Sequence, residues 1–275
     1  MRLLVVAALA SAAYAQVPEF VHGDECLFCH RNDIGPSWQK NAHGLALRQK
    51  QDAPEVTDIP RAGETTHVLG SRHHIRYLKQ AGYGKFDILS VDKTQWQSGK
   101  FEAQCAGCHT TGVDTKTRTF TAIGHDCYVC HGVVDLEHTN DTSKIFLSKK
   151  RRNDAQAITA TCAQCHLRGA KSRGTGLPYP TGFVAGSSDL FKDYAADFAK
   201  PPGNPGDRHV WENVRAVAQD GNTDVTCLSC HRIHQNTTDR HRRVLTGEIC
   251  LNCHNAQGPK KDVKHYEVHS ALCEY

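Results

Sequence analysis

The chain contains a single methionine, and it is Met1. A mature protein without it has no thioether to offer a metal and lacks the most adaptable apolar side chain for filling gaps. Aromatic residues make up only 7% and hydrophobic residues 39%, a lean supply for 275 residues to bury as one conventional core. The main apolar run, Leu3 to Ala10, is shorter than the roughly 20 residues that a bilayer-spanning helix needs. Charge of one sign is scarce as well. The formal net charge is +4, and the basic run Lys149-Lys150-Arg151-Arg152 reads as a solvated surface patch. No block is long enough for a nucleic-acid-binding arm. What the sequence has in excess is 13 cysteines and 18 histidines.

The first residues read as a processing signal. Arg2 supplies the positive start, Leu3 to Ala10 the apolar stretch and Ala13-Tyr14-Ala15 the small-x-small cleavage site. Residues 1–15 are expected to be removed, with Gln16 first in the mature chain. Export leads to an oxidising space, where cysteines ordinarily pair as disulfides. Their spacing argues otherwise. Cys26-Leu27-Phe28-Cys29-His30 is followed by Cys105-Ala106-Gly107-Cys108-His109 and Cys127-Tyr128-Val129-Cys130-His131. Then come Cys162-Ala163-Gln164-Cys165-His166, Cys227-Leu228-Ser229-Cys230-His231 and Cys250-Leu251-Asn252-Cys253-His254. Twelve of the 13 cysteines thus stand in C-x-x-C pairs, each followed at once by histidine.

C-x-x-C-H is the attachment signature of c-type haem. Two thiols three positions apart reach the two vinyl groups on one porphyrin edge as thioethers, and the adjacent imidazole binds the iron from the proximal side. A zinc ribbon needs four ligands per metal and gives no reason for a histidine after every second cysteine. A redox dithiol would occur once, in a strand-helix setting. Six repeats therefore imply six haem c groups, which must themselves form much of the apolar interior. Each brings two propionates against one ferric charge, so the apparent basicity is neutralised from within. Cys273 is the odd thiol.

The other side of each iron separates electron carrier from enzyme. Methionine is excluded, and six histidines serve as proximal ligands. Twelve remain: His22, His43, His67, His73, His74, His125, His138, His209, His234, His241, His265 and His269. Two candidates per iron make bis-histidine ligation affordable, and about half of them must do something else.

The residues around these histidines carry a family likeness. Cys26 to His30 followed by Trp38-Gln39-Lys40-Asn41-Ala42-His43 resembles the first motif of the tetrahaem cytochromes of ammonia oxidation. Their larger relatives are octahaem hydroxylamine-oxidising and tetrathionate-reducing enzymes. The close pair starting at Cys105 and Cys127 is similar too, above all Cys105 to Gly112, and so is His131-Gly132 followed by His138. The resemblance covers about residues 20 to 185. It implies that His43 reaches across to a later haem, that His73 (or His74) is a distal ligand, and that His138 is another. The segment Cys227 to His234 with Cys250 to His254 resembles the doubled motif of small periplasmic carriers, which implies iron binding by His234. His265 and His269 complete the candidate distal set. This sequence departs from the tetrahaem pattern in having no haem motif between His43 and Cys105. The missing haem is the one that family leaves open on its distal side. No C-x-x-C-K variant is present either.

Regular structure is expected to be short. A helix is predicted over residues 68 to 82, presenting His73 or His74, and a second over Val210 to Gln219, with Trp211, Val214 and Val217 at helical spacing. Residues 168 to 208 are rich in Gly and Pro and read as a wrapping loop or a boundary. The expected fold class is mainly α with much irregular structure, a multihaem cytochrome c organised around six covalent haems. A four-haem lobe would occupy residues 16–200 and a two-haem lobe 201–275. The expected function is electron transfer through bis-histidine haems outside the inner membrane, in the periplasm or extracellular space. Its partners would be redox proteins or extracellular acceptors, with no nucleic acid and no membrane span. The alternatives are an oxidoreductase acting on a small nitrogen or sulfur oxyanion at one open haem, and a homo-oligomer or extracellular filament. Mass spectrometry and a pyridine haemochrome assay on the mature protein should count six covalent haems per chain, with no methionine–iron charge-transfer band. A count of five or fewer contradicts the motif reading.

Overall fold

Gly70 and His74 both take left-handed backbone angles, with φ of 84° and 53°. An α-helix cannot run through such residues. The segment expected as a helix over 68 to 82 is instead two strands of a sheet in the computed structural model. The structure describes residues 24–70, 74–135, 137–148, 154–187, 189–221, 226–231 and 233–234. The leader-like segment 1–15, His22, His73, His241, the sixth motif from Cys250 to His254, His265, His269 and Cys273 lie outside these residues.

Five short antiparallel strands form a meander in chain order: β1 (Leu47–Gln49), β2 (His67–Leu69), β3 (Arg76–Gly82), β4 (Lys85–Leu89) and β5 (Trp96–Gln97). Leu47 stands opposite Leu69, Val68 opposite Tyr77 and Leu78 opposite Ile88. Leu47, Leu69, Leu78, Phe86 and Ile88 bury one side of this sheet against Phe101, Ala106 and Phe120. The rings of Phe86, Phe101 and Phe120 meet with centroids 5.3 to 6.0 Å apart. An acid sits in this apolar core: Glu102 is 4% exposed and accepts the Phe86 N–H at 2.7 Å. The expectation of a mainly α protein thus missed an entire β layer.

The remaining elements are short helices and two-residue strands. In order they are α1 (Asp24–His30), α2 (Gly35–Trp38), α3 (Lys100–Gln104), α4 (Ala106–His109), α5 (Tyr128–His131), α6 (Ala155–His166), α7 (Leu190–Asp193), α8 (Pro205–Ala218) and α9 (Cys227–Cys230). Strands β6 (Thr110–Thr111) and β7 (Ala122–Ile123) pair between α4 and α5, while β8 (Lys171–Ser172) pairs with β9 (Tyr194–Ala195). α6 is the hub. Asp154 caps it by accepting the Ala157 N–H at 2.9 Å, and Ala155, Ala157, Ala160 and Ala163 are buried along it. Side chains this small let other helices approach closely, and α4, α5, α8 and α9 all pack on α6. α8 begins at Pro205 behind an Asn204 cap, five residues before the expected Val210 and within the stretch read as a loop, and packs Trp211 and Val214 with Ala160, Ala163 and Leu167. Leu228 of α9 packs with Phe146, Ala157, Ile158 and Ala185. Among the described residues, α8 and α9, both after residue 200, therefore dock on the chain before it.

Leu78 is fully buried at the centre of the sheet core. Leu78→Ala should cost about 2–5 kcal/mol of stability, read as an earlier denaturant midpoint.

Candidate metal centres

Each C-x-x-C-H segment among the described residues takes up about one helical turn. α1, α4, α5 and α6 end on their motif histidines His30, His109, His131 and His166, and His231 directly follows α9. Helical geometry is what the chemistry requires. Residues i, i+3 and i+4 share a helix face, so both thiols and the imidazole point the same way. Cys26, Cys29, Cys105, Cys108, Cys127, Cys130, Cys162, Cys165 and Cys227 stand as free thiols and not as disulfides.

The motifs also meet one another. Cys26 and Cys127 share a thiol hydrogen bond, as do Cys108 and Cys165, and Cys162 and Cys227. First and third motifs, second and fourth, and fourth and fifth are thus neighbours. The fourth sits on α6 and touches the most. Gln164 inside it donates to Val129 O of the third motif at 3.1 Å. Packing also dictates the residues within a motif. In the second, Ala106 is fully buried in the sheet core. A Cβ on Gly107 would stand 2.1 Å from Cγ of Tyr179. Thr110 and Thr111, just beyond, are buried, and their hydroxyls donate to Ala106 O at 2.7 Å and Gly124 O at 2.9 Å. These bonds tie the second motif to the turn that leads into the third.

Histidines from distant segments pair across space. His138 lies 6.2 Å from His30 between ring centroids, His43 lies 5.9 Å from His166, and His234 lies 5.8 Å from His131. The first and third pairs are near parallel, at 18° and 22°, and the second is near perpendicular, at 76°. A ligating nitrogen sits about 2 Å from its metal and about 1 Å from its own ring centre, so rings on opposite sides of one iron have centroids about 6 Å apart. Among the described residues no three or more of His, Cys, Asp and Glu converge on one metal position. Two imidazoles are what an iron already held by four porphyrin nitrogens would need.

The second ring nitrogen supports the same fit. Nδ1 of His30 lies 3.1 Å from Asp33 Oδ2, that of His131 2.8 Å from Phe146 O, that of His138 2.8 Å from Asp135 O and that of His43 3.2 Å from Asn41 Oδ1. Each acceptor draws the ring proton to Nδ1 and leaves the Nε2 lone pair for a metal. Burial holds the His131 imidazole below its usual range, and with it His166. His109 is held down at about 4, by burial first and then by the charges of His125, Arg168 and His166. A neutral imidazole is the ligating form. His166 is itself solvent-accessible, although protein crowds it on its other sides. It lines a hollow.

His125 also lies near metal-pair distances, 5.7 Å from His43 and 6.3 Å from His109. Its Nδ1 lies 3.0 Å from the main-chain carbonyl of His43 and its Nε2 2.7 Å from that of Cys108, so either tautomer of the neutral ring donates to one of them and the doubly protonated ring to both. It ties the His43 turn to the second motif. His67 is buried in β2 against Phe86, with centroids 4.6 Å apart. His74 is exposed. Sequence reasoning missed Asn41 and the structural use of His125. Neither carries a local signal, because their partners lie elsewhere in the chain.

A fold organised by these turns and pairs is that of multihaem cytochromes. The crystal structure of the outer cell wall cytochrome OcwA superposes with a TM-score of 0.59 over 87% of this chain and 68% of its own, at 20% identity. An undecaheme cytochrome from the S-layer of Carboxydothermus ferrireducens gives 0.48 over 87% of this chain and 43% of its own, at 21% identity. The likeness to OcwA is one of fold. No protein-family model matches the chain, and no curated protein matches it.

Gly107→Ala should be poorly tolerated, because the added methyl must displace the Tyr179 ring from a packed site. Overpacking of this kind costs about 1–3 kcal/mol. A lower thermal midpoint and a lower yield of the haem-loaded protein would register it.

Proposed function

We propose that this chain is a hexahaem c-type cytochrome that passes electrons along a row of bis-histidine centres outside the inner membrane. The observation that carries the reading is the meeting of His138 with His30, His43 with His166 and His234 with His131. In each pair one imidazole belongs to a C-x-x-C-H turn and the other comes from a different stretch of chain. Cys26, Cys29, Cys105, Cys108, Cys127, Cys130, Cys162, Cys165, Cys227, Cys230, Cys250 and Cys253 would hold the porphyrins as thioethers. His30, His109, His131, His166, His231 and His254 would be the proximal ligands. Haem, when bound, supplies a reversible one-electron iron couple. The protein's part is to hold both axial imidazoles neutral and oriented, and to keep the attachment points of the first and third, second and fourth, and fourth and fifth motifs side by side. With two imidazoles and no methionine on the iron, the potentials should be low.

The sequence resemblance to the tetrahaem cytochromes of ammonia oxidation supports the assignments of His43 and His138, and the doubled C-terminal motif supports that of His234. Among the described helices none is long and apolar enough to cross a membrane. The leader-like start and the fold shared with an outer cell wall cytochrome support a periplasmic or extracellular site, with redox proteins or extracellular acceptors as partners. An enzymatic reading has one specific foothold. His109 has Nδ1 buried without a partner among the described residues, and the imidazole beside it, His125, is bonded to carbonyls. Any open iron would be sought there first.

His43→Ala should turn one centre high-spin and open it to carbon monoxide while all haems stay attached. His138→Ala and His234→Ala should each do the same at a different centre. Electron paramagnetic resonance of the native protein should separate the near-perpendicular pair from the two near-parallel ones. Unchanged spin states in all three variants would overturn the ligand assignment. Stoichiometric carbon monoxide binding to one native haem, with turnover of hydroxylamine, nitrite or tetrathionate there, would favour the enzyme.

A further inference from the structure

Asn41 stands in the turn after α2, two residues before His43, and is 2% exposed. Its side-chain amide is used at both ends by partners from different parts of the chain. Oδ1 accepts the His43 N–H at 2.9 Å and lies 3.2 Å from His43 Nδ1. Nδ2 donates to Ile233 O at 2.6 Å. The orientation of the amide is forced. A main-chain N–H can only donate and so must face Oδ1, while a main-chain carbonyl can only accept and so must face Nδ2. Oδ1 in turn carries no proton, so a bond to the His43 ring requires the proton on Nδ1 and leaves the lone pair on Nε2. Ile233 directly precedes His234. One buried amide therefore bears on the tautomer of one histidine and on the main-chain position beside another. His43 and His234 stand opposite His166 and His131, in two separate pairs. Trp38 closes the same junction, 6.4 Å from both His43 and His234 between ring centroids.

We propose that Asn41 is a positioning residue shared by two centres: it sets the tautomer and stance of His43 opposite His166 and, through Ile233, anchors His234 opposite His131. This rests on the ligand assignment of the preceding section and extends it from which imidazoles bind to what orients them. An outer hydrogen bond to a ligating histidine is worth about 10- to 100-fold in metal binding. An Asn41 serving only its local turn would change stability and leave the iron signals alone.

The test compares Asn41→Leu, Asn41→Asp and His43→Ala in the fully haem-loaded protein, read by electron paramagnetic resonance and carbon monoxide titration. Asn41→Leu removes both bonds. Carbon monoxide should then displace His43 at about 10- to 100-fold lower concentration than in the native protein, and the signals of both pairs should shift. Asn41→Asp keeps an acceptor for the His43 ring but sets a carboxylate against the Ile233 carbonyl. It should preserve the near-perpendicular signal of His43 with His166 and shift the near-parallel one of His131 with His234. If Asn41→Leu does not mature, the selective effect of Asn41→Asp carries the test alone. Native signals and native carbon monoxide binding in the haem-loaded variants would overturn the proposal, and a change confined to the His43 centre would overturn the shared support. His43→Ala separates this failure from that of the ligand reading. Should it leave every centre low-spin, the assignment of His43 falls. Should it produce one high-spin centre while the Asn41 variants are silent, only the role of Asn41 falls.

Discussion

Imidazoles from separate stretches of the chain meet with ring centroids 5.8 to 6.2 Å apart, and much of the fold can be traced to those meetings. Each pair needs one histidine on a short helical turn and another delivered by a loop that returns from elsewhere. His138 returns to His30, His43 reaches forward to His166, and His234 comes back to His131. A chain that must close such pairs has little use for long helices. Only α6, with 12 residues, and α8, with 14, exceed two turns among the described elements.

The thin apolar content noted at the outset is deployed accordingly. One conventional core lies under the five-stranded sheet, where Leu47, Leu78, Ile88 and three phenylalanines exclude water. A second gathers α6, α7 and α8 around Leu167, Leu190, Tyr194, Trp211 and Val214. The C-x-x-C-H turns reach into these cores at Ala106 and Ala163, while their described cysteines and histidines stay at least partly accessible. Alanine and glycine in the motifs are packing requirements: Ala106 enters the sheet core and Gly107 leaves room for Tyr179. Polar side chains then lock the turns together. Gln164 spans the fourth and third motifs, His125 the carbonyls of His43 and Cys108, and Asn41 the His43 turn and Ile233. Buried hydrogen bonds of this kind cost little when satisfied and fix geometry more sharply than apolar contact does.

Electrostatics and tautomers bear on the same centres. Burial lowers the proton affinity of His109, His131 and His166, and a carbonyl, carboxylate or amide oxygen beside Nδ1 of His30, His43, His131 and His138 leaves the remaining lone pair on Nε2. In the proposed centres the metal-facing nitrogen would thereby be selected by groups that never touch the metal.

What could be read from the sequence was whatever depends on residues close together along it. Two thiols and an imidazole within five positions define an attachment motif, so the C-x-x-C-H segments were legible, although the short helices that carry five of them were not expected. α8 was legible in part: Trp211, Val214 and Val217 repeat at helical spacing, but the helix begins at Pro205, five residues before the expected Val210 and inside a stretch read as a loop. The region from 68 to 82 was misread because left-handed angles at Gly70 and His74 leave little trace in composition, and because strands this short gain their stability from neighbours up to 22 residues away, as Leu47 does from Leu69. The histidine count showed that bis-histidine centres were affordable, and the resemblance singled out His43, His73 (or His74), His138 and His234, of which His73 lies outside the described residues. Neither could say which ring meets which. Only the tertiary structure decides that, since an imidazole pair is a contact between segments whose separation along the chain says nothing about their distance in space.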